Sequence, residues 1–295
     1  MSGRESNSQN IDLHCHGGAG YYFSDPNPEN VHSAISFHKS HGTSDLLASL
    51  VTEEIPVLKE QIRRLIPFCL DKSIAGIHLE GPYLAQARCG AHEPSLLKSP
   101  TLDEIKSLLD VGQGHISMIT IAPELDGAIE AIGFLRSRGV IAAIGHSAGG
   151  YDDAMRAIGA GAQLVTHFSN GMNKLGDGEK TFATALLYES DIMLELILDR
   201  HHVSDDDVRT IFKHAANRVV FVTDAMAAAG QPDGEYRIGA LEVIVKAGVA
   251  RLKKNGSLAG STLTMNAAIS NALALGLPSE AINNSSSENA RKLLG

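Results

Sequence analysis

Cysteine is scarce in this sequence, and its positions exclude two kinds of site. The chain has three cysteines, Cys15, Cys69 and Cys89. They are odd in number and widely spaced, which matches neither the disulfide framework of a small secreted domain nor a CxxC metal site. Such cysteines suit a reducing compartment, so we expect a cytoplasmic protein.

Long apolar runs are also missing. No stretch approaches the ~20 apolar residues that a membrane-spanning helix needs. The polar start of the chain, MSGRESNSQN, lacks the apolar segment of a secretory signal. We therefore expect no membrane partner.

Positive charge is in deficit, with 25 Lys and Arg against 34 Asp and Glu and a formal net charge of −9. The sequence offers no basic stripe for phosphate backbones, which argues against nucleic-acid binding as its main activity. A small anionic substrate would need a local cationic pocket.

Short apolar runs that alternate with helical patterns fill most of the 295 residues, and this alternation is typical of parallel βα units. A single (β/α)8 barrel takes roughly 250 residues. Several runs are almost continuously apolar, as in strands covered on both faces. The predicted strands are Ile11–Gly17, Ser44–Thr52, Ile74–Tyr83, His115–Glu124, Val140–Ser147, Gln163–Asn170, Ile192–Asp199 and Arg218–Met226. We predict an α/β fold of the TIM-barrel type.

The predicted barrel domain spans residues 11–295 and follows a polar tail at residues 1–10. Alternating apolar residues within 230–260 predict a small β insert of two or three strands after the eighth barrel strand. A final helix is expected near Thr262–Leu275. The polar NNSSS segment at Asn283–Ser287 is predicted to be a loop.

Two helix starts are marked by capping residues. Thr101 and Ser204 each stand three residues before a carboxylate, Glu104 and Asp207, that could reach back to the cap.

Polar residues that suit metal chemistry fall at the carboxyl ends of the predicted strands, where barrel enzymes hold their active sites. His14 and His16 are two residues apart on one strand, so both imidazoles can bind one cation. The alternative is two solvated loop histidines. Glu80 ends its strand before Gly-Pro, where a carboxylate is costly unless it is ligated or is held by a neighbouring arginine or lysine. His78, one layer deeper, fits a hydrogen-bonded core histidine.

Three more candidates end later strands. His146 and His167 close two consecutive predicted strands, and together with Glu80 they leave a coordination position open for water. Either histidine alone could be a core residue. Asp224 ends the eighth strand, where a carboxylate can take a proton from an attacking water and pass it to a leaving amine. The alternative for Asp224 is capping of the following turn.

The blocks that contain these residues resemble the N-acetylglucosamine-6-phosphate deacetylases of the amidohydrolase superfamily. The resemblance runs from Ile11 to about Gly276 and includes IDLHCHGG, GIHLEGPYLAQARCGAH, ITIAPE, IGHSAG, THFSNGMNKL, LDRHHV, VTDAMAAAG and LAGSTLT. It implies a metal-dependent hydrolase that converts N-acetylglucosamine 6-phosphate to glucosamine 6-phosphate and acetate. It also implies a homodimer, because the family's phosphate site borrows from a neighbouring subunit. The apolar insert residues Leu241, Val243 and Val245 are expected to need a covering partner as well.

The resemblance also implies residue roles. Glu80, His146 and His167 match the family's principal metal ligands. Asp224 matches the catalytic acid/base, and His92 matches a group that polarises the acetamide carbonyl or holds the substrate.

The family uses one or two divalent ions, zinc or iron. Some members lack the first HxH pair and work with one ion. This chain keeps His14 and His16, so a second ion is possible.

The expected sugar-phosphate contacts are the backbone at Ala91, the Asn170–Gly171 pair, and His202. Gly171 replaces the family's usual alanine, which a backbone contact should tolerate.

A family arginine that binds phosphate is replaced by Gly178. Lys180 is the nearby cation and lacks the bidentate fork of arginine. Arg200, in the family's DGxH block, could restore positive charge.

Relatives carry a small β-sandwich that this chain is expected largely to lack. Two other readings stay open beside the main one, one motivated by the replaced arginine and one by the missing small domain. The first is a deacetylase or amidohydrolase for another N-acetyl sugar phosphate or small amide. The second is a weakly active sugar-phosphate binding protein.

Overall fold

Eight parallel strands form the centre of the molecule in a computed structural model that describes residues 9–295. They follow one another around the sheet in chain order, which is the order of a TIM-type barrel. The strands are β1 Ile11–Cys15, β2 Asp45–Val51, β3 Gly76–Glu80, β4 Ile116–Ile121, β5 Ile141–Ile144, β6 Leu164–Val165, β7 Met193–Ile197 and β8 Val219–Val222. The predicted fold class is confirmed.

The last strand closes on the first just beyond their ends. The backbone N–H of Asp224 donates to the carbonyl oxygen of His14 at 2.8 Å. Below this contact, Asp12 accepts hydrogen bonds from the backbone N–H and the hydroxyl of Thr223 at 3.1 and 2.6 Å. Closure of the barrel thus brings the first and eighth strands' functional side chains together.

Ten α-helices within residues 9–295 surround the barrel and extend the chain at its carboxyl end. They are α1 Pro28–Ser40, α2 Ile55–Leu70, α3 Leu102–Gly112, α4 Ala128–Ser137, α5 Tyr151–Ala160, α6 Phe182–Tyr188, α7 Asp205–Ala215, α8 Met265–Ala274, α9 Ser279–Asn283 and α10 Asn289–Leu294. None of these described helices combines the length and the apolar content that a membrane crossing requires.

The two predicted helix starts are confirmed as N-caps. The Thr101 hydroxyl accepts from the Glu104 N–H, and the Ser204 hydroxyl accepts from the Asp207 N–H. The Glu104 carboxylate does not reach back, however. It accepts from the Lys98 ammonium at 2.6 Å and from the Tyr83 hydroxyl at 3.0 Å, and these partners hold it on the other side.

The insert is a three-stranded antiparallel sheet formed by β9 Gly234–Ile238, β10 Leu241–Lys246 and β11 Val249–Leu252. Val243 and Val245 point inward and are 0% and 2% exposed. They pack with Met226, Ala228 and Ala259 of the same chain. The expectation that these valines need a partner molecule is therefore wrong, because the barrel's own loops cover them.

The NNSSS segment is helical, so the predicted loop is wrong. It joins α9 to α10 through a π-helical turn at Asn284–Glu288. Ser285, Ser286 and Ser287 are at most 2% exposed. Small side chains let this turn pack closely against the barrel strands, and the adjoining Asn289 amide donates to the Val219 carbonyl oxygen at 2.8 Å.

Candidate active site

A cavity of about 230 Å³ opens at the carboxyl ends of the barrel strands. The barrel contributes most of its polar lining, and the segments around the β insert form its remaining wall. Its lining includes His16, Glu80, Ala91, His92, His146, His167, Asn170, Gly171, His202, Asp224, Ile238, Ser257, Leu258 and Gly260. Residues that the sequence placed on separate strands therefore face one space.

Glu80 lies at the centre of this cluster, and its carboxylate contacts imidazoles on both sides. Its Oε1 atom lies 3.1 Å from His146 Nε2 and 3.0 Å from His167 Nε2. Its Oε2 atom lies 3.2 Å from His16 Nε2 and 3.3 Å from His92 Nε2. The alternative of a neighbouring arginine or lysine paired with Glu80 is wrong, because its partners are histidines.

A second group of ligand atoms adjoins the first. His14 Nε2 and His16 Nε2 are 3.1 Å apart, which shows that both rings face the same point. Asp224 Oδ1 lies 3.5 Å from His14 Nε2 and 3.2 Å from His16 Nε2. The two histidines are 0% and 2% exposed, which excludes the alternative of solvated loop residues.

The four clustered histidines share one hydrogen-bonding arrangement. In each ring Nδ1 faces an oxygen that can only accept: a main-chain carbonyl for three rings and a carboxylate for His14. The acceptors are Glu195 for His14, Ser49 for His16, Arg88 for His146 and Asn170 for His167. Because Nδ1 must therefore donate, the Nε2 atom of every ring faces the cavity and is the atom that can bind a metal.

His92 is arranged the opposite way. Its Nδ1 atom lies 2.8 Å from the Thr52 hydroxyl and also faces the Thr52 backbone N–H at 3.4 Å. Two donors at Nδ1 favour the tautomer that carries its proton on Nε2, which points into the cavity. Burial is the main cause that lowers the pKa of His92, and the ring is therefore a neutral donor near pH 7.

The site residues that end strands have unusual backbone conformations. His146, His167 and Asp224 have φ angles of 47°, 28° and 48°, in the left-handed region that non-glycine residues seldom adopt. Such conformations cost of order 1–3 kcal/mol each and cluster at functional sites. They also explain why the predicted strands ran too long, because the chain leaves the sheet at these residues and turns their side chains into the cavity.

The carboxylates and imidazoles of the cluster shift one another's pKa values. Burial alone would raise the pKa of Asp224, but the imidazoles of His14 and His16 outweigh burial and lower this pKa to about 2. Burial opposes the charged form of His16 too, yet contacts with Asp224 and Glu80 raise its pKa to about 9. The ligand-free site therefore holds protons close to ionised carboxylates.

The donor set fits a divalent transition ion. Ligand atoms about 2.0–2.1 Å from a tetrahedral ion lie roughly 3.3 Å from one another. The contacts between Glu80, His146 and His167 span 3.0–3.1 Å, and those between His14, His16 and Asp224 span 3.1–3.5 Å. Mixed imidazole and carboxylate donors suit zinc or iron.

Known proteins resemble the chain closely in sequence. N-acetylgalactosamine-6-phosphate deacetylase of Escherichia coli O157:H7 is 36% identical over 290 residues, which cover 96% of this chain and 76% of that protein. N-acetylglucosamine-6-phosphate deacetylase of Lysinibacillus sphaericus is 32% identical, with 88% and 68% covered. The chain belongs to the N-acetylglucosamine-6-phosphate deacetylase family. No protein-family model matches it.

A solved structure of this family is similar throughout the barrel. It is an Asp→Ala variant of the N-acetyl-D-glucosamine-6-phosphate deacetylase from Mycobacterium smegmatis, in complex with N-acetyl-D-glucosamine-6-phosphate. It is 39% identical with a TM-score of 0.93, and the match covers 97% of this chain and 77% of that one. The chain thus spans about three quarters of this relative.

The family's expected sugar-phosphate contacts are brought together only in part. Ala91, Asn170, Gly171 and His202 line the cavity. Gly171 has a φ of 62°, and an added Cβ would lie 3.1 Å from His146 Nδ1, so glycine avoids strain at this position. His202 is held by Asp199, whose Oδ2 atom lies 2.7 Å from His202 Nδ1.

Lys180 and Arg200, the cations expected near the phosphate, do not line the cavity. The Lys180 ammonium is 5.7 Å from the centre of the Tyr151 ring and does not line the cavity. Arg200 pairs with Asp205, its Nε atom lying 3.2 Å from Oδ1, and it does not line the cavity. The described lining contains no lysine or arginine.

Sequence reasoning missed two residues that organise the site. Glu195 holds His14, and Thr52 holds His92. Glu195 carried a usable signal, because it is a lone carboxylate inside the apolar strand MLELI. Thr52 carried none, since a threonine at a strand end is ordinary. The prediction that His78 is a core histidine fits its contacts with the Ser49 and Thr120 hydroxyls, both at 2.9 Å.

Proposed function

We propose that the chain is a metal-dependent deacetylase of N-acetylglucosamine 6-phosphate. The observation that carries this proposal is the Glu80 carboxylate, which lies within 3.3 Å of four imidazoles while Asp224 faces the same cavity. Family membership supports the same reaction. The products would be glucosamine 6-phosphate and acetate.

Each side chain has a chemical task in this proposal. Glu80, His146 and His167 would hold a divalent ion, which would supply Lewis-acid polarisation of the amide carbonyl and activation of the attacking water. Asp224 accepts the water's proton and returns it to the leaving amine. His92 donates from Nε2 to the carbonyl oxygen as negative charge develops there.

We propose up to two ions per chain, zinc or iron. His14, His16 and Asp224 form a second group of donor atoms, and Glu80 faces both groups. Elemental analysis of the purified protein after reconstitution would test this proposal. Absence of bound metal would contradict it.

A second substrate has support of its own. The relative from Escherichia coli O157:H7 is named for N-acetylgalactosamine 6-phosphate, the epimer at the sugar's C4. Acetate release should therefore be measured with both epimers and with unphosphorylated N-acetylglucosamine. We expect the glucosamine epimer to have the higher kcat/KM. Preference for the other epimer would change the substrate, and slow release from all three would favour a weak binding protein.

Phosphate recognition motivates a homodimer. Because no lysine or arginine lines the described cavity, we propose that Lys180 of a second copy supplies the cation. The Lys180 side chain is exposed on the loop before α6, so it could contact a second copy of the chain. Lys180→Ala should raise KM for the phosphorylated substrate only, whereas exposed Lys213→Ala should not. A monomeric mass at micromolar concentration would contradict this assembly.

We further propose that residues 11–295 act as one catalytic unit in the cytoplasm. Insert residue Ile238 and neighbouring Leu258 line the cavity, so the insert belongs to the site. All three cysteines are free of disulfides, which suits a reducing compartment.

A further inference from the structure

Glu195 is a buried carboxylate that the proposed chemistry leaves without a task. It lies in the middle of β7 and is 0% exposed. Burying a carboxylate is costly unless charge and hydrogen bonds compensate it. Within residues 9–295, no protein group hydrogen-bonds its Oε1 atom, and the contacts of its side chain are made by Oε2.

The Oε2 atom contacts both groups of metal-binding side chains. It lies 3.0 Å from Nδ1 of His14, which belongs to the second group, that of His14, His16 and Asp224. It also accepts from the backbone N–H of His167, in the first group with Glu80 and His146, at 2.9 Å. The Glu195 carbonyl oxygen accepts from the next N–H, that of Phe168, at 2.8 Å.

The contact with His14 fixes the ring's tautomer. A carboxylate can only accept, so Nδ1 must donate, and the Nε2 lone pair is left for a metal. His16, His146 and His167 obtain the same result from main-chain carbonyls. His14 alone among the four depends on a side chain, which a substitution can remove.

The contact with His167 fixes its backbone. At a φ of 28° this residue is in a strained conformation, and such conformations persist only where surrounding contacts determine them. The hydrogen bond from its N–H to Glu195 is one such contact. It keeps the imidazole aimed at Glu80 Oε1, 3.0 Å away.

We propose that Glu195 is a positioning residue that couples the two metal positions, because one oxygen holds a ligand of each. This inference rests on the proposed metal-dependent function. Loss of Glu195 should therefore weaken binding at both positions, and weaken it most where His14 takes part. Outer contacts of this kind typically change metal affinity by about 10–100-fold.

Two variants and a control test the coupling. Glu195→Gln keeps the shape and one acceptor oxygen but removes the charge, and Glu195→Leu removes both hydrogen bonds. Glu104→Gln makes the same amide substitution at a carboxylate that binds Lys98 and Tyr83, away from the metal ligands. Each protein should be stripped with a chelator and titrated with zinc against a competing indicator, with cobalt spectra recorded in parallel.

We expect Glu195→Gln to bind zinc about tenfold more weakly, and Glu195→Leu to lose one ion per chain and alter the cobalt spectrum of the other. Glu104→Gln should match the wild type. If Glu195→Leu fails to fold, the glutamine variant still provides the test. Wild-type stoichiometry and affinity within threefold in both folded Glu195 variants would overturn the coupling alone. Failure of the wild type to bind metal would instead overturn the proposed function.

Discussion

Asp224 is the side chain that distinguishes a deacetylase from a protein that only binds the sugar phosphate, because hydrolysis needs a group that transfers a proton. It lies 8% exposed at the cavity wall, with its Oδ1 atom 3.2 Å from His16 Nε2. The pKa of Asp224, lowered to about 2 by the imidazoles of His14 and His16, keeps this carboxylate ionised at neutral pH, which is the form that a general base needs. Its contacts also permit a role as a metal ligand, so substitution must separate the two roles.

Asp224→Asn keeps the size of the side chain and removes its ability to take a proton. We expect turnover to fall by about 10²–10⁴-fold with metal content retained, because general acid–base groups contribute that much. Turnover and bound metal should be measured on one preparation. Loss of metal would assign Asp224 chiefly to ligation, and near-normal activity with metal intact would leave it a structural cap.

The sequence predicted the positions of some site residues and not of others. Glu80, His146 and Asp224 were identifiable because a polar side chain after an apolar strand needs an explanation. Lys180 was misplaced within its own chain, because a loop's direction depends on packing that residue spacing does not encode. The tautomer of His92 was likewise hidden, since it depends on Thr52, which is 40 residues away in the sequence.

At the scale of elements, the β insert has the apolar face that its sequence pattern predicts, but that face does not need the partner molecule that we expected. Alternation in β10 correctly identified an apolar face with Val243 and Val245. Sequence could not show that the loops around Met226 and Ala259 cover this face. The prediction for NNSSS was wrong for a different reason. Its polar composition suggested a solvated loop, but small serine side chains can also be buried against the barrel strands.

Neighbouring insert residues provide a matched test of that packing. Val243 is fully buried, whereas Ile244 on the opposite face is half-buried. Val243→Thr should lower the free energy of unfolding by about 1–3 kcal/mol, because a hydroxyl enters an apolar contact. Ile244→Thr, which keeps β-branching, should cost less than half as much. Thermal unfolding of both variants tests this order, and a reversed order would place the covered face on the other side.

At the scale of the whole molecule, protons and metal compete for the same buried cluster. His16 has a pKa raised to about 9 in the ligand-free site, above its ordinary value of 6.5. The contribution of His16 to the free energy of unfolding is therefore complete below pH 6.5, and it is lost as the pH rises through about 9. Asp12, whose pKa burial raises to about 6, has largely finished titrating below this window.

Chelated protein should accordingly lose stability between pH 6.5 and 9, by on the order of 3 kcal/mol from His16 alone. Metal-loaded protein should lose less, because the ion rather than protons compensates the carboxylates. Thermal unfolding at both pH values, with and without chelator, measures the difference. Identical pH dependence of the two forms would show that metal does not replace these protons.

Release of acetate from N-acetylglucosamine 6-phosphate, before and after metal removal, tests the central claim most directly. The account predicts hydrolysis by the purified protein, loss of at least about 99% of it after chelation, and recovery when zinc or iron is restored. Activity that survives complete removal of metal, or no acetate from the fully metal-loaded protein, would contradict the account.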